Sequence, residues 1–290
     1  MMAKAGETAT ALTRRSLLKS AAALPILATP VAALAAAPGN GMEIQRLAWA
    51  GIRLRIGEVA LFIDAIAPNP QGGTPGPALV GAAGRNFALV THHHPDHYDP
   101  GALAPLLGAN DYVVAYEESI RQIAGHQLTT LPARLHEPIF LSRGNGEFVA
   151  RCVPASDGLG SPQVSWIVDG AGRKIIHCGD TAWHGGWWDI GRAYGPFDAA
   201  FLPINGFRQT GGRFQETREA MSLTPEQAVH AARIMGARLV VPIHYGTAAS
   251  PGYVEETDLL NRFTREAAAR SVPVRILAPG AMLALDERAA

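Results

Sequence analysis

The stretch Val90-Thr91-His92-His93-His94-Pro95-Asp96-His97-Tyr98-Asp99, read on alternate positions, gives His92, His94, Asp96 and then His97, four potential metal ligands within six residues. Imidazole nitrogen and carboxylate oxygen together suit zinc, and also manganese or iron where oxygen ligands increase. The short apolar run Phe87-Ala88-Leu89-Val90 ahead of it predicts a buried strand. The ligands then fall on the loop leaving that strand's C-terminal end, where functional residues are commonly carried. The strand in front, with Pro95 and Asp96 inside the tract, sets it apart from a solvated His-rich loop or a tag.

Three more strand ends offer ligands. Asp180 closes His177-Cys178-Gly179-Asp180 after an apolar run, with Gly179 allowing a sharp turn that exposes the carboxylate. His244 follows Val240-Val241-Pro242-Ile243, and Asp157 follows Val153-Pro154-Ala155-Ser156. Alone, such an Asp is more often a turn former and such a His a hydrogen-bonded core residue. Beside the first cluster they form a candidate ligand set.

The elements that must position these residues alternate between β and α blocks. Glu43 to Trp49, Ile52 to Ile56 and Val59 to Ile63 predict a meander of strands, with Asp64 ending the third. The Pro- and Gly-rich stretch Ala67 to Ala83 predicts a mobile flap near the mouth of the site. Beyond the His run come a helix over Pro100 to Gly108, a strand over Tyr112 to Ala115 and a helix over Glu117 to Ala124. A second β block follows at Pro138 to Leu141, Glu147 to Val153, Val164 to Val168 and Lys174 to Cys178, with turn signals at Arg143-Gly144-Asn145-Gly146 and Asp169-Gly170-Ala171-Gly172.

Asp198 to Leu202 predicts a further strand, which runs into a Gly- and Arg-rich loop. Thr224-Pro225-Glu226-Gln227 is a capping box with Pro at the first helical position, opening a helix that Gly236 stops. Leu239 to Ile243, a helix over Val254 to Arg270 and strands at Val274 to Leu277 and Met282 to Leu285 complete the order. Short strands in two blocks need their inner faces covered, which two face-to-face sheets with helices outside achieve in one α+β domain over residues 42–290.

The N-terminus reads as an address. Thr13-Arg14-Arg15-Ser16-Leu17-Leu18-Lys19 is a twin-arginine pattern, followed by the weakly apolar Ser20 to Leu34 and small residues up to Ala37. Residues 1–37 are thus expected to be a signal peptide cut near Ala35 or Ala37, with the twin-arginine export machinery as partner and a periplasmic or secreted destination. Removing residues 1–40 takes Lys4, Arg14, Arg15 and Lys19 with Glu7, so that 25 basic and 25 acidic groups become 21 and 24. No basic stripe remains to argue for nucleic acid. Cys152 and Cys178, both in apolar strand-like runs, read as buried hydrophobes, a single bridge being the alternative.

With these motifs in hand, the chain resembles a metallo-β-lactamase-fold hydrolase, and within it the branch of the sugar-lactone hydrolase relatives and the N-acyl-phosphatidylethanolamine phospholipase D type. The resemblance is carried by His92 to His97, Gly179-Asp180-Thr181, Pro203-Ile204-Asn205-Gly206, Pro225-Glu226-Gln227-Ala228-Val229 and Pro242-Ile243-His244-Tyr245-Gly246-Thr247, in the family's order. It implies a four-layer αββα sandwich with two divalent metal ions at one edge, zinc first, manganese or iron as alternatives. His92 and His94 would bind the first ion, Asp96, His97 and His244 the second, and Asp180 both. A water between two cations loses its proton near neutral pH and attacks, with Asp96 placed to orient it.

Two positions depart from the family pattern. Where relatives place a third histidine for the first ion after a Pro-Ala pair, this chain has Asp157, a shorter and harder ligand. Where relatives often carry a histidine before the Pro-Glu helix start, it has Met221-Ser222, and His184 is the candidate replacement as proton donor or substrate contact. Trp183, Trp187 and Trp188 read equally as core or as an apolar wall for an acyl or aromatic group. The expected function is an exported metal-dependent hydrolase acting on a small-molecule or lipid-like substrate with a phosphodiester, lactone or other ester bond. The alternative is a metal- or ligand-binding module whose hydrolysis was weakened or lost through Asp157.

Overall fold

A computed structural model describes residues 41–67, 72–141, 147–211, 219–247 and 252–285. The expected signal peptide, the Arg143 to Gly146 turn, and parts of the Ala67 to Ala83 flap and of the loop after Gly206 lie outside the described residues.

Strands β1 (Glu43–Arg46), β2 (Ile52–Ile56) and β3 (Val59–Ile63) form the opening meander, and β4 (Arg85–Val90) leads into the His run. α1 (Pro100–Leu103), β5 (Tyr112–Tyr116), α2 (Ile120–Ile123) and β6 (Thr130–Ala133) follow. The second block comprises β7 (Ile139–Leu141), β8 (Phe148–Pro154), β9 (Val164–Gly170), β10 (Arg173–His177), α3 (Trp187–Tyr194) and β11 (Ala199–Pro203). The chain ends with β12 (Arg208–Gln209), α4 (Pro225–Met235), β13 (Val240–Ile243), β14 (Tyr253–Val254), α5 (Leu259–Ala269) and β15 (Met282–Leu283).

One sheet has the order β15-β1-β2-β3-β4-β5-β6 and the other β13-β11-β10-β9-β8-β7. In the first, β3 to β6 are parallel, and in the second, β10, β11 and β13 are parallel. β2 alternates Ile and Leu inward with Arg53 and Arg55 outward, as expected of a strand with one covered face. The inner faces meet through Leu54, Phe87, Val114, Phe148, Trp166, Ile175 and Phe201. On the outer face of the second sheet, Ile176, Ala200 and Leu202 pack with Val229, Ala232 and Phe263 of α4 and α5, and on that of the first, Phe62 and Ala88 pack with Leu103 and Ile123. The result is the four-layer αββα sandwich.

Several elements differ from expectation. The first two helices shrink to single turns, α1 capped by Asp99. α5 starts at Leu259 because Tyr253 and Val254 pair with β12 instead, and Val274 makes only an isolated bridge to Val240. β6 and α3 have no counterpart in the sequence reading. α3 has Gly186 at its N-cap position and no side-chain cap, so no start signal marks it. α4 has the expected capping box and ends on Gly236 at φ 71°. Cys152 and Cys178 are free, buried thiols, and Cys152 donates to the Arg134 carbonyl. Among the described residues no helix is long and apolar enough to cross a membrane.

Trp166 links the second sheet to the His run. Its indole N–H donates to the Val90 carbonyl at 3.0 Å, and the Val164 N–H donates to the Thr91 carbonyl at 3.1 Å. Trp166→Phe removes the indole N–H that serves the buried Val90 carbonyl and shrinks a buried side chain, and is expected to cost about 1–3 kcal/mol of unfolding free energy, read from urea denaturation of the metal-free chain.

Candidate metal centre

The ligand-bearing loops leave the C-terminal ends of strands in both sheets. His92 to His97 follow β4, Asp180 follows β10 and His244 follows β13. Parallel strands bring their C-terminal ends to one edge, which is how residues far apart in sequence converge here. Gly179 has φ +59°, and a Cβ there would lie 2.8 Å from Thr91 Oγ1 and 3.0 Å from Gln163 Nε2, so both its backbone and its surroundings require glycine.

Two groups of donor atoms result: His92, His94 and Asp180, and Asp96, His97 and His244. Asp180 faces both. Its Oδ1 lies 3.8 Å from His92 Nε2, while its Oδ2 lies 3.9 Å from His97 Nε2 and 3.8 Å from His244 Nε2. Asp96 Oδ2 is 3.7 Å from His97 Nε2 and 3.5 Å from His244 Nε2. Ligands around a tetrahedral zinc stand roughly 3.4 Å apart, so these spacings are those of atoms around a cation rather than of a hydrogen-bonded cluster.

The orphaned atoms agree. His97 Nε2, His244 Nε2 and Asp180 Oδ1 are buried without a hydrogen-bond partner, an arrangement costly unless something else satisfies them. The donor set therefore fits divalent metal ions, with His92, His94 and Asp180 to hold one and Asp96, His97, His244 and Asp180 the other.

Neighbours fix these ligands. Asp64, at the end of β3, accepts from Thr91 N–H at 2.9 Å and Thr91 Oγ1–H at 2.8 Å, and lies 2.8 Å from His97 Nδ1. The carboxylate assigns the proton to Nδ1 and leaves Nε2 for the metal. Trp49 N–H donates to Asp96 Oδ2 at 3.1 Å, and its ring lies 4.3 Å from that of His244. Arg46, buried, donates to the carbonyls of Leu47, Trp49 and Gly51 and so holds the turn that carries Trp49.

Electrostatics follow from this crowding. Burial, and then the charges of His97 and His94, push His92 well below the usual histidine range. Burial would also lower His97, but Asp96, Asp64 and Asp180 outweigh it and raise His97 to about 10. Burial alone would raise Asp64 and Asp96; the facing His97 outweighs it and holds both carboxyls below their ordinary range. The pocket thus demands positive charge.

The structure brings together six of the expected ligands, His92, His94, Asp96, His97, Asp180 and His244. Asp157 stands apart. Its carboxylate accepts the amides of Leu159 at 3.0 Å and Ser161 at 2.7 Å and lies 3.9 Å from His94 Nε2, whereas His92 faces the other nitrogen, Nδ1, at 2.9 Å. His184 is not in either group. Its Nδ1 accepts the Gly186 amide, its ring stacks on Trp187 at 4.0 Å, and burial pushes it down to about 4, so it is neutral at pH 7. That state suits a hydrogen-bonding contact better than a proton donor. Trp187 is core, while Trp183 and Trp188 are exposed. The sequence reading missed Asp64 and Trp49 as parts of the site, although Asp64 ends an apolar strand just as Asp180 does.

The beta-lactamase superfamily domain matches residues 61–245. A UPF0173 metal-dependent hydrolase of Rubrobacter xylanophilus is 32% identical over 254 residues, 83% of this chain and 96% of that protein. This chain belongs to the metallo-β-lactamase superfamily, in the UPF0173 metal-dependent hydrolase family. A second UPF0173 metal-dependent hydrolase, from Thermus thermophilus, is 28% identical over 84% of this chain and 100% of its own length. Among solved structures, the metallo hydrolase Igni18 of Ignicoccus hospitalis aligns with a TM-score of 0.63 at 19% identity, over 83% of this chain and 97% of that one. The diiron β-hydroxylase CmlA of Streptomyces venezuelae aligns with a TM-score of 0.62 at 12% identity, over 84% of this chain and 54% of that one. These two share the fold. Metal-dependent hydrolysis is the chemistry of the UPF0173 family to which the chain belongs.

Asp64→Asn keeps the shape but removes the charge that orients and polarises His97. It is expected to weaken zinc binding by about 10- to 100-fold, measured by chelator competition on the apo protein; unchanged affinity would remove Asp64 from the centre.

Proposed function

We propose that this chain is an exported hydrolase that uses two divalent ions, zinc first and manganese or iron as alternatives, to cleave an ester-type bond in a phosphodiester, lactone or similar substrate. The observation that carries the reading is Asp180, whose two oxygens face the two donor groups separately. When bound, ions at such a site supply Lewis acidity and a water acidic enough to attack near neutral pH. Asp96, its Oδ2 held by the Trp49 N–H, would help hold the second ion and orient that water. His184 offers a neutral contact to the substrate. Trp183 and Trp188 offer exposed indole faces three and eight residues after Asp180, which supports a substrate with an acyl or aromatic portion. Export rests on Arg14-Arg15 and the apolar stretch behind them, and the sugar-lactone and phospholipase D branch rests on the motif order.

A second reading is favoured by one observation. Because the Leu159 and Ser161 amides occupy the Asp157 oxygens, the first ion would lack a third side chain of its own, and the protein would be a metal-binding module with weakened hydrolysis. Two measurements separate the readings. Asp180→Ala is expected to abolish turnover of ester, lactone and phosphodiester substrates; retained turnover rules out the bridged mechanism. Metal analysis of wild type and Asp157→His is expected to give two equivalents in both. One equivalent in wild type and two in the variant would favour the binding module.

A further inference from the structure

A polar network around Asn205 lies outside the ligand set, and its polarity can be assigned bond by bond. The Phe207 N–H donates to Ser222 Oγ at 3.1 Å, so the Ser222 hydrogen is directed to Asn205 Oδ1, with which it makes a short bond. That fixes Oδ1 as acceptor and Nδ2 as donor. The Glu255 carboxylate, 3.4 Å from Nδ2, agrees. Nδ2 also donates to Tyr253 Oη at 2.7 Å. The Tyr253 oxygen therefore accepts, and among the described residues its own hydrogen has no acceptor.

Topology brings this network to the sheet edge that carries the metal centre. Asn205 lies two residues beyond β11, and β11 runs between β10 and β13, whose ends carry Asp180 and His244. The network is tied down on both sides. Leu223 N–H donates to the Thr181 carbonyl at 2.9 Å, next to Asp180, and Glu255 accepts the Gly246 and Thr247 amides at 3.1 and 3.3 Å, just beyond His244. The Tyr253 ring stacks on Phe207 with centroids 4.2 Å apart and planes 10° apart. Burial first, and then the charges of Asp96 and Asp180, push the phenol up, so it stays protonated.

We propose that Tyr253 is a substrate-contacting residue that donates its phenolic hydrogen bond to the substrate oxygen that gains negative charge as the bond is cleaved. The hydrogen stays on the phenol. Asn205 is the positioning residue that turns it toward the site, and Ser222 sets Asn205. This inference rests on the hydrolytic reading of the centre, and it gives a role to Ser222.

The test uses the metal-reconstituted full chain, titrated with inorganic phosphate as a tetrahedral oxyanion probe, with metal content and melting temperature measured on the same samples. Tyr253→Phe keeps the stacking on Phe207 and is expected to retain the metal while raising the phosphate dissociation constant about tenfold. Ser222→Ala, which frees the Asn205 amide to turn, is expected to weaken phosphate binding when Tyr253 is present and to add nothing when it is Phe. Unchanged phosphate affinity in metal-loaded Tyr253→Phe, additive losses in the double variant, or no phosphate binding by metal-loaded wild type would each overturn the inference alone. Wild type that binds no metal would overturn the hydrolytic reading beneath it, and this inference with it.

Discussion

The centre depends on one buried carboxylate. Asp64, about 1% exposed, stands where β3 ends beside β4, and its oxygens take the Thr91 amide, the Thr91 hydroxyl and the His97 imidazole. Burying a carboxylate is expensive unless it is paired and hydrogen-bonded, and here every approach is satisfied. The consequence is geometric. Asp64 pins Thr91, just ahead of the His run, and orients the run's last ligand, so the whole run is held between two contacts with one side chain. Its backbone, at φ +47°, lies in the left-handed region, which costs about 1–2 kcal/mol for a residue with a Cβ. The bonds to Thr91 and His97 offset that cost and keep the turn.

Trp49 and His244 also sit at positive φ, 53° and 55°. All three residues touch the site, and left-handed residues of this kind persist only where surrounding contacts over-determine them. At Trp49 those contacts are the Arg46 guanidinium on its carbonyl and the Asp96 carboxylate on its indole. At His244 they are the Trp49 carbonyl, 3.3 Å from its amide, and the Trp49 ring. A chain leaving a strand through a left-handed residue turns sharply, which lets a side chain at the strand's end point back across the sheet edge. The strain is therefore part of how both sheets deliver ligands to one place.

Much of this was legible in the sequence where a local signal and the final environment agree. β2 and β3 fall where alternation and apolar runs place them, the Thr224-Pro225 start and Gly236 stop of α4 are local chemistry, and six of the seven expected ligands converge because each follows a strand. The failures have the opposite cause. Val254 leaves the expected helix because Arg208 and Gln209, far away in sequence, offer it and Tyr253 a strand. α3 has glycine at its start and its end, and its stability comes from Trp187 and Ile190 packed on the second sheet, which no local pattern reveals. Asp64, Trp49 and Tyr253 act through partners 27 to 48 residues away, so type and spacing could not single them out.

The two halves of the centre are unequal. Asp96, His97 and His244 are all buried and each is held by a dedicated neighbour, Asp64 on His97 and Trp49 on the other two. In the other half, His94 is partly exposed, and Ser161 Oγ, 3.0 Å away, is the hydroxyl at its Nε2. A histidine in place of Asp157 could reach past the Leu159 and Ser161 amides, because imidazole projects its Nε2 farther from the backbone than an Asp carboxylate extends. Asp157 instead folds onto its own loop, since a carboxylate two to four residues ahead of free amides accepts them readily. Asp157 therefore stiffens its own loop, and the strongest pull on a cation lies in the half built around Asp64 and Trp49.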